Sequence, residues 1–379
     1  MRIGIDASNI RAGGGITHLS EMLGAADPDA YGITEVIVWS GKATLDKLPC
    51  RPWLTLAHVP TLDRSMLYRM MWQSTALTGL ASKHCDLLFS PGASYAGSFK
   101  PLVVMSQNML PFAPAERGRY KLIRKLRFIA LEQSQTRAFR RASGVVFLTA
   151  KSREMILNRI GALKVESVVI PHGVLPAFNC PPREQRAITE YSTERPFRLL
   201  YVSTVDLYKH QWHVVEAVAQ LRAKGYPVTL DLIGGAYPPA LEQLKSVLNR
   251  VDPQQTFIRY LGAVPYREVQ AHYHNADLFI FASSCENLPN ILIEAMSSGL
   301  PVTCSNRDPM PHVLGNAGSY FDPENPQQIA ETIERMLLDP ELRQRCANAG
   351  YQESHQYTWK RCADETFSYF ARLIAAARL

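Results

Sequence analysis

Residues 278–299 read LFIFASSCENLPNILIEAMSSG, and this stretch decides the fold of the second half of the chain. A short apolar run leads into polar residues, and these lead into an apolar helical pattern that begins near Pro289 and stops at Gly299. Proline suits a helix start because its missing N–H would be unpaired there, and glycine suits a helix end. The stretch therefore predicts a strand, a turn and a helix, which is the repeating unit of a parallel sheet.

The same alternation of strand-like and helix-like segments runs along the whole chain, so an α/β protein with two successive sheets is predicted. In the first half the predicted strands cover residues 2–6, 35–39, 87–90, 102–106, 144–148 and 167–170. In the second half they cover residues 197–203, 229–233, 257–260, 278–282, 301–304 and 318–321.

The length of 379 residues favours two domains, since one hydrophobic core rarely serves so long a chain. Residues 171–196 contain five prolines and many charges without a clear period, so the domain boundary is expected there. We predict an N-terminal domain over 1–175, a linker over 176–196 and a C-terminal domain over 197–356. A final helix over 357–379 carries an apolar stripe at helical spacing, formed by Phe367, Phe370, Leu373 and Ile374.

Composition narrows the class of protein. Apolar residues make up 46% and charged residues 20%, values typical of globular chains, and the formal net charge is +7. The seven cysteines are odd in number and contain no C-x-x-C pair, so neither a disulfide framework nor a zinc site is indicated. Apolar runs are too short to span a bilayer, and Met1 leads at once into a strand-like segment. A cytoplasmic protein is expected.

Two segments have features that suit phosphate binding. Gly13, Gly14 and Gly15 follow the first predicted strand and precede a helix, so backbone amides there can approach an anion. The spacing fits neither a dinucleotide-binding motif nor a P-loop, and a simple strand-to-helix turn is an equal alternative. In the second segment, Glu286 precedes the helix that starts near Pro289 and Glu294 lies within it, so two carboxylates flank one anion-binding helix end.

The stretch from Glu286 to Glu294 resembles the E-x7-E element of retaining GT-B glycosyltransferases, and its surroundings resemble family 4 of that group. Further segments match in the family's order: the turn at 13–15, FSPG at 89–92, VIPHGV at 169–174, residues 200–209, LIGG at 232–235 and LGAV at 261–264. The resemblance implies two Rossmann-like doubly wound domains facing a cleft. It also implies that the last helix packs back on the N-terminal domain.

The resemblance assigns roles to individual residues. Glu294 is expected to hold the ribose hydroxyls of the donor, Glu286 to contact the donor sugar, and Lys209 to neutralise the leaving diphosphate. Lys209 and Glu286 are thus the expected catalytic residues. The remaining residues expected to bind the donor are Gly14, Gly15, Ser203, Thr204, Gly234, Val264, Asn287 and Leu288.

The chain also departs from the family pattern. Ser203 and Thr204 stand where many relatives have Gly-Arg, so one phosphate-binding cation is missing. Gln107 and Asn108 stand where relatives often have a histidine near the reacting sugar, and an amide is not a general base at neutral pH. Together with His18, which is expected to face the cleft, these two amides are assigned to the acceptor or sugar side.

The resemblance implies a hexosyltransferase that moves a sugar with retention from a nucleotide-diphosphate donor to a lipid-linked or polysaccharide acceptor. Bacterial surface-glycan synthesis, such as that of lipopolysaccharide, O-antigen or capsule, is the expected setting, with mannosyl or rhamnosyl transfer favoured. A GDP-hexose is preferred over a UDP-sugar, and neither a cofactor nor a metal ion is expected. Two alternatives stay open: a GT-B nucleotide-sugar epimerase or phosphorylase, and a non-catalytic protein that binds sugar nucleotides or glycans.

Two further segments bear on partners. Residues 117–141 carry nine basic side chains and one acid, Glu132, with Leu122, Leu126 and Ile129 as an apolar stripe. A basic amphipathic helix can lie on an anionic membrane, so peripheral contact with the inner face of the cytoplasmic membrane is an expectation beside that of a solvated face. Residues 66–72 are rich in large apolar side chains, and a core helix is predicted for them. Nucleic acid is not expected as a partner.

Overall fold

The computed structural model describes residues 1–11 and 13–378, and these form two compact units. Unit 1 comprises residues 1–117, 121–173 and 357 to the C-terminus, so it is built from separate parts of the chain. Unit 2 comprises residues 174–356, together with residues 118–120. Both units are α/β, with one parallel sheet each.

Unit 1 contains a seven-stranded sheet in the order β3-β2-β1-β4-β5-β6-β7. Its strands are β1 (Arg2–Asp6), β2 (Glu35–Ser40), β3 (Leu54–His58), β4 (Leu87–Ser90), β5 (Leu102–Met105), β6 (Gly144–Phe147) and β7 (Glu166–Val169). Its helices are α1 (Gly14–Ala25), α2 (Lys42–Leu45), α3 (Met66–Thr75), α4 (Leu77–His84), α5 (Pro114–Arg117), α6 (Leu122–Arg141), α7 (Ala150–Ile160) and, from the end of the chain, α15 (Trp359–Ala377).

Unit 2 contains a six-stranded sheet in the order β10-β9-β8-β11-β12-β13. Its strands are β8 (Phe197–Val202), β9 (Val228–Ile233), β10 (Ile258–Gly262), β11 (Leu278–Phe281), β12 (Val302–Ser305) and β13 (Gly318–Phe321). Its helices are α8 (Gln211–Ala223), α9 (Pro238–Val251), α10 (Tyr266–Asn275), α11 (Asn290–Ser297), α12 (Met310–Leu314), α13 (Pro326–Leu338) and α14 (Pro340–Ser354).

Both sheets reverse their strand order once, which creates a place for a ligand. In unit 1 the order turns between β1 and β4, and in unit 2 it turns between β8 and β11. The loops after the two strands at such a point lead away in opposite directions and leave a crevice at the carboxyl edge of the sheet. The predicted fold class, two Rossmann-like parallel-sheet domains, is confirmed.

Helix α15 is covered by the elements of unit 1. Phe367 and Phe370 are fully buried, with the Phe370 ring 5.1 Å from that of Phe89. The hydroxyl of Tyr369 donates to the main-chain oxygen of Glu166 at 3.0 Å, which ties the helix to β7. The apolar stripe of this helix thus belongs to the core of unit 1, although nearly half of the chain separates it from β7.

Residues 176–196, predicted to be a linker, belong instead to unit 2. The amide of Cys180 donates to the Ser297 carbonyl at 3.0 Å, and Arg183 donates to the Ala276 carbonyl. The segment is held on the surface of the unit by individual hydrogen bonds and forms no long helix or strand. Its sequence, which is rich in prolines and charges, therefore has no periodic pattern that would predict this packing.

Two features of unit 1 differ from the sequence-based prediction. Strand β3 was not predicted, because residues 54–58 form an edge strand in which most side chains are exposed or half-exposed. Helix α3 is not the predicted core helix: Trp72 is buried, whereas Met66, Leu67, Tyr68, Met70 and Met71 are each 43–65% exposed. Its apolar residues extend around the helix, so the neighbouring elements of unit 1 can cover only one side.

Candidate functional site

The central residues of the candidate site in unit 2 lie where the strand order reverses. Lys209 is in the loop that follows β8, and Glu286 is in the loop that follows β11. Because β8 and β11 are parallel neighbours, their carboxyl ends open at the same edge of the sheet. The structure therefore brings together two residues that are 77 positions apart in the chain.

Lys209 and Glu286 form a buried ion pair in which the Lys209 ammonium donates to Oε1 of Glu286. The two side chains are only 7% and 14% exposed. The ammonium also lies 4.9 Å from the centre of the Tyr208 ring and 5.1 Å from that of Phe281. A cation held between aromatic rings and one carboxylate has lost most of its water, so it interacts strongly with any anion that enters the crevice.

His210 fixes the loop that carries Lys209. It caps the N-terminus of α8 with φ 51°, a left-handed conformation that is uncommon for a residue with a side chain. Its Nε2 lies 2.9 Å from Oγ of Ser284, in the loop after β11. Burial lowers the pKa of His210 to about 3, so the ring is neutral and links the two loops by hydrogen bonding alone.

Glu294 lies in the second turn of α11 and is 5% exposed. Its Oε1 accepts a hydrogen bond from the Tyr266 hydroxyl at 2.8 Å, and its Oε2 lies 3.1 Å from the Tyr273 hydroxyl. Burial raises the pKa of Glu294 to about 7, while the two hydroxyl donors act in the opposite direction. The carboxyl group is therefore poised between its neutral and charged forms near neutral pH.

The other residues of unit 2 that are predicted to bind the donor lie in the loops that follow β8, β9, β10 and β11. Ser203 follows β8 and is buried, and the side chain of Gln211 donates to the Thr204 carbonyl at 3.0 Å. Asn287 and Leu288 are buried just before α11, whereas Val264 is half-buried before α10. Helix α11 begins at Asn290, one residue after the predicted start at Pro289, which occupies the cap position.

Gly234 shows why this loop requires glycine. Its φ of +145° is rarely adopted by other residues, and a Cβ built on it would lie 2.1 Å from the carbonyl oxygen of Ser203. The chain after β9 thus passes directly against the chain after β8.

In unit 1, the glycine turn and one of the predicted amides are neighbours. Gly13 has φ 68° and caps α1, which begins at Gly14. A Cβ on Gly15 would lie 3.1 Å from the side-chain oxygen of Gln107, so Gln107 borders the turn. Asn108, by contrast, accepts a hydrogen bond from the Leu110 amide at 3.1 Å and stabilises its own loop.

His18 does not face a cleft, and that prediction is wrong. It is fully buried, with Nδ1 2.8 Å from Nδ1 of His172 and its ring 5.8 Å from that of Trp359. Burial lowers the pKa of His18 to about 4, and burial also lowers that of His172. Both rings are neutral at pH 7, so one Nδ1 donates to the other. The pair joins α1 to the segment that follows β7.

Sequence reasoning missed two sets of polar residues. In unit 2 these are Tyr266 and Tyr273, whose position on α10 gave no sign that they contact Glu294. In unit 1, Asp6 ends β1 and is buried among three donors. The donors are Ser8 at 2.6 Å, Ser90 at 3.2 Å and Gln73. A polar residue at the carboxyl end of the first strand was the available signal for Asp6.

Within residues 1–11 and 13–378, no group of three or more His, Cys, Asp or Glu side chains is arranged to hold a metal ion.

The part of the chain that contains this site matches a known protein family. Residues 183–353 match the family model for glycosyl transferases group 1, a range that contains Lys209, Glu286 and Glu294. The chain has the GT-B fold, and its matched region, residues 183–353, supports a glycosyltransferase of the family 4 type. Its resemblance to that family, inferred from the ordered motifs, is thereby confirmed.

Curated relatives match parts of this GT-B chain. The O-antigen chain mannosyltransferase B of Escherichia coli is 30% identical over 177 residues, which cover 46% of this chain and 45% of that protein. The sulfoquinovosyl transferase SQD2 of Arabidopsis thaliana is 26% identical over 147 residues, which cover 32% of this chain and 28% of that protein. The matches thus span less than half the length of either relative.

Solved structures match the chain over almost its full length. Sucrose-phosphate synthase from Thermosynechococcus elongatus gives a TM-score of 0.72 at 17% identity, covering 99% of this GT-B chain and 100% of that one. HepE of Anabaena, in complex with UDP and glucose, gives 0.73 at 17% identity, covering 97% and 100%. These likenesses establish the fold.

Proposed function

We propose that this GT-B protein is a glycosyltransferase that uses a nucleotide-diphosphate sugar as donor. The observation that carries the proposal is the buried Lys209–Glu286 pair at the switch point of a glycosyl transferases group 1 domain. A partly dehydrated cation at the carboxyl edge of a parallel sheet is suited to bind a diphosphate, and Glu294 is suited to accept hydrogen bonds from ribose hydroxyls.

Lys209 and Glu286 are suited to different roles in the reaction. As the bond between sugar and phosphate breaks, negative charge grows on the diphosphate, and the Lys209 ammonium stabilises that charge. Glu286, released from part of its contact with Lys209, accepts hydrogen bonds from the donor sugar. We infer transfer with retention, in which the departing phosphate oxygen takes the proton of the acceptor hydroxyl, because the residues assigned to the acceptor side, Gln107 and Asn108, are amides.

For the substrates, we propose a hexose donor and a lipid-linked or polysaccharide acceptor in bacterial surface-glycan synthesis. The name of the mannosyltransferase B relative, together with the serotype-specific mannosyltransferase WbdA of Escherichia coli at 24% identity over 243 residues, supports a mannosyl donor and hence GDP-mannose. The HepE complexes with UDP support UDP-sugars as the second choice.

A screen of nucleotide diphosphates tests the donor proposal. The base that belongs to the donor should raise the midpoint of thermal unfolding, because a ligand at 100 times its dissociation constant stabilises the folded state by about 2.7 kcal/mol. For a unit of this size the shift is roughly 5–10 °C. GDP is expected to give the largest shift, and the matching sugar nucleotide should then support transfer to a glycan acceptor. Equal shifts with every base would contradict a GDP-specific donor, and binding without transfer to any acceptor would contradict the enzyme proposal.

We also propose that unit 1 makes peripheral contact with an anionic membrane, which would place the protein at the cytoplasmic face. Helix α6 exposes Leu122 by 69%, Ile123 by 86% and Leu126 by 54%, beside exposed cations that include Lys125 and Arg127. Exposed apolar side chains among cations suit the boundary between lipid headgroups and acyl chains. No helix in the described part of the chain is long and apolar enough to cross a membrane.

Vesicle sedimentation tests this contact. Vesicles with phosphatidylglycerol should bind the protein at least about 10-fold more tightly than neutral phosphatidylcholine vesicles, since each surface cation contributes about 1 kcal/mol. Ile123→Glu should reduce binding by roughly 10-fold, because it replaces an inserting side chain with an anion. Leu338→Glu is the matched control, since Leu338 is also exposed (56%) but lies in unit 2. Equal loss in both variants, or no preference for anionic lipid, would refute the proposed surface.

A further inference from the structure

We propose that Tyr266 and Tyr273 are positioning residues of the nucleotide site, which hold the Glu294 carboxylate in the orientation that receives ribose hydroxyls. The inference rests on the proposed function, because it requires Glu294 to contact the donor. It adds two residues outside the E-x7-E element, both on helix α10, and a measurable consequence for the pH dependence of binding.

The Glu294 carboxyl group is hydrogen-bonded at both of its oxygens. The Tyr266 hydroxyl lies 2.8 Å from Oε1 and the Tyr273 hydroxyl lies 3.1 Å from Oε2, so each oxygen has its own donor. A carboxylate oxygen accepts two hydrogen bonds, and one position on each oxygen therefore stays open for a ribose hydroxyl. With both oxygens held from the α10 side, the plane of the carboxylate cannot rotate freely.

The tyrosines are themselves held in place by aromatic packing. The Phe178 ring lies 5.7 Å from that of Tyr266 and 5.4 Å from that of Tyr273. Tyr273 is fully buried and stacks on Phe279 of β11 at 5.4 Å, and its hydroxyl also lies 3.2 Å from the Ile291 carbonyl of α11. Tyr266 is 43% exposed, so it borders the space open to a ligand. Rigid rings give the hydroxyls fixed positions at a small cost in conformational entropy.

The charges around Glu294 decide how its protonation depends on the tyrosines. Helix α11 carries no other titratable side chain, and Phe178 is apolar. From α10 the groups that face Glu294 are the two tyrosines, whereas Arg343 of α14 donates to main-chain carbonyls, including that of Leu337. Among the described residues no cation forms an ion pair with Glu294. The hydroxyl donors are therefore the groups that favour its charged form against the effect of burial.

Two consequences follow for nucleotide binding. The charged carboxylate accepts ribose hydroxyls better than the neutral acid does, so affinity should fall as the pH drops through about 7, where Glu294 gains a proton. Removing a hydroxyl that donates to the carboxylate raises the pKa of Glu294 further, so the loss of affinity should move to higher pH. A tyrosine that only filled space would not move this midpoint.

The test measures the dissociation constants of GDP and UDP by calorimetry between pH 5.5 and 8.5. The variants are Tyr266→Phe, Tyr273→Phe and Glu294→Gln. Tyr226→Phe is the matched control, since the Tyr226 hydroxyl also donates to a carboxylate of unit 2, that of Glu334. The terminal phosphate of the nucleotide titrates in the same range, and the Glu294→Gln profile supplies that contribution for subtraction.

For the nucleotide that binds, Tyr266→Phe and Tyr273→Phe should each move the midpoint upward by about 0.5–1 pH unit. At pH 7 affinity should fall by roughly 2–6-fold, and at pH 8.5 it should return to within about 2-fold of the unmodified protein. Tyr226→Phe should leave the profile unchanged. Tyr273 is buried, so its variant is checked by thermal unfolding, and half-exposed Tyr266 carries the test if Tyr273→Phe unfolds.

A midpoint that stays in place in Tyr266→Phe, while Glu294→Gln abolishes the pH-dependent part of binding, would overturn the positioning role alone. If Glu294→Gln keeps the original affinity and profile, or if neither nucleotide binds, the proposed nucleotide site itself is wrong. The two failures are thus distinguishable within one set of measurements.

Discussion

Lys209→Met is expected to lower kcat by roughly 100–1000-fold while weakening donor binding by less than about 10-fold. The diphosphate gains negative charge as the sugar departs, so the ammonium interacts more strongly with the transition state than with the bound donor. Methionine keeps most of the unbranched apolar part of the side chain but removes the ammonium that lies beside the Tyr208 and Phe281 rings. Steady-state kinetics with the donor identified by the nucleotide screen measures both effects.

Lys224→Met is the matched control, because Lys224 also pairs with a glutamate of unit 2, Glu334, but on the exposed surface. Its kcat should stay within about 2-fold of the unmodified enzyme. A Lys209→Met enzyme that keeps its kcat and loses only donor affinity would assign Lys209 to ground-state binding.

Gly234→Ala should have the largest effect on stability, lowering the free energy of unfolding by about 3 kcal/mol or more. The added Cβ would lie 2.1 Å from the Ser203 carbonyl oxygen, and alanine rarely adopts a φ of +145°. Since two backbone segments meet there, a side-chain rotation cannot relieve the overlap. Chemical denaturation of the variant, compared with the unmodified chain, measures the loss.

The neighbouring residue provides the control. A Cβ on Gly235 would meet nothing within 4 Å, so Gly235→Ala should change the free energy of unfolding by less than about 1 kcal/mol. Equal destabilisation by both substitutions would mean that the loop tolerates no side chain at all, and the specific contact with Ser203 would then be wrong.

The fold was largely readable from the sequence because buried parallel strands are continuous apolar runs. Strands β1, β4 and β13 were predicted with their observed bounds, and most others to within one residue. Strand β3 was not predicted, because an edge strand needs apolar residues on fewer positions. The 176–196 segment was misassigned because individual hydrogen bonds to unit 2 leave no periodic signal.

The candidate site was readable where the local pattern carried the chemistry, and not where the tertiary fold supplied it. The sequence pattern identified the loops with Lys209 and Glu286 as strand-to-helix turns. Their ion pair could not be predicted, because the pattern does not show that β8 and β11 are neighbours in the sheet. The prediction for His18 was based on its nearness in sequence to the glycine turn. Its burial, however, depends on contacts with His172 and Trp359, which come from distant parts of the chain.

The late position of α15 in the chain has a consequence for biosynthesis. During translation the strands of unit 1 emerge first, yet Phe89 and Trp53 lack Phe370 and Phe367 until α15 has left the ribosome. At a synthesis rate of about 5–20 residues per second, making unit 2 imposes a delay of about 10–40 s. For that time the nascent N-terminal region exposes an apolar face. Unit 1 should therefore be the part of the nascent chain that needs chaperones. Unit 2 can complete its core as soon as its own strands are made.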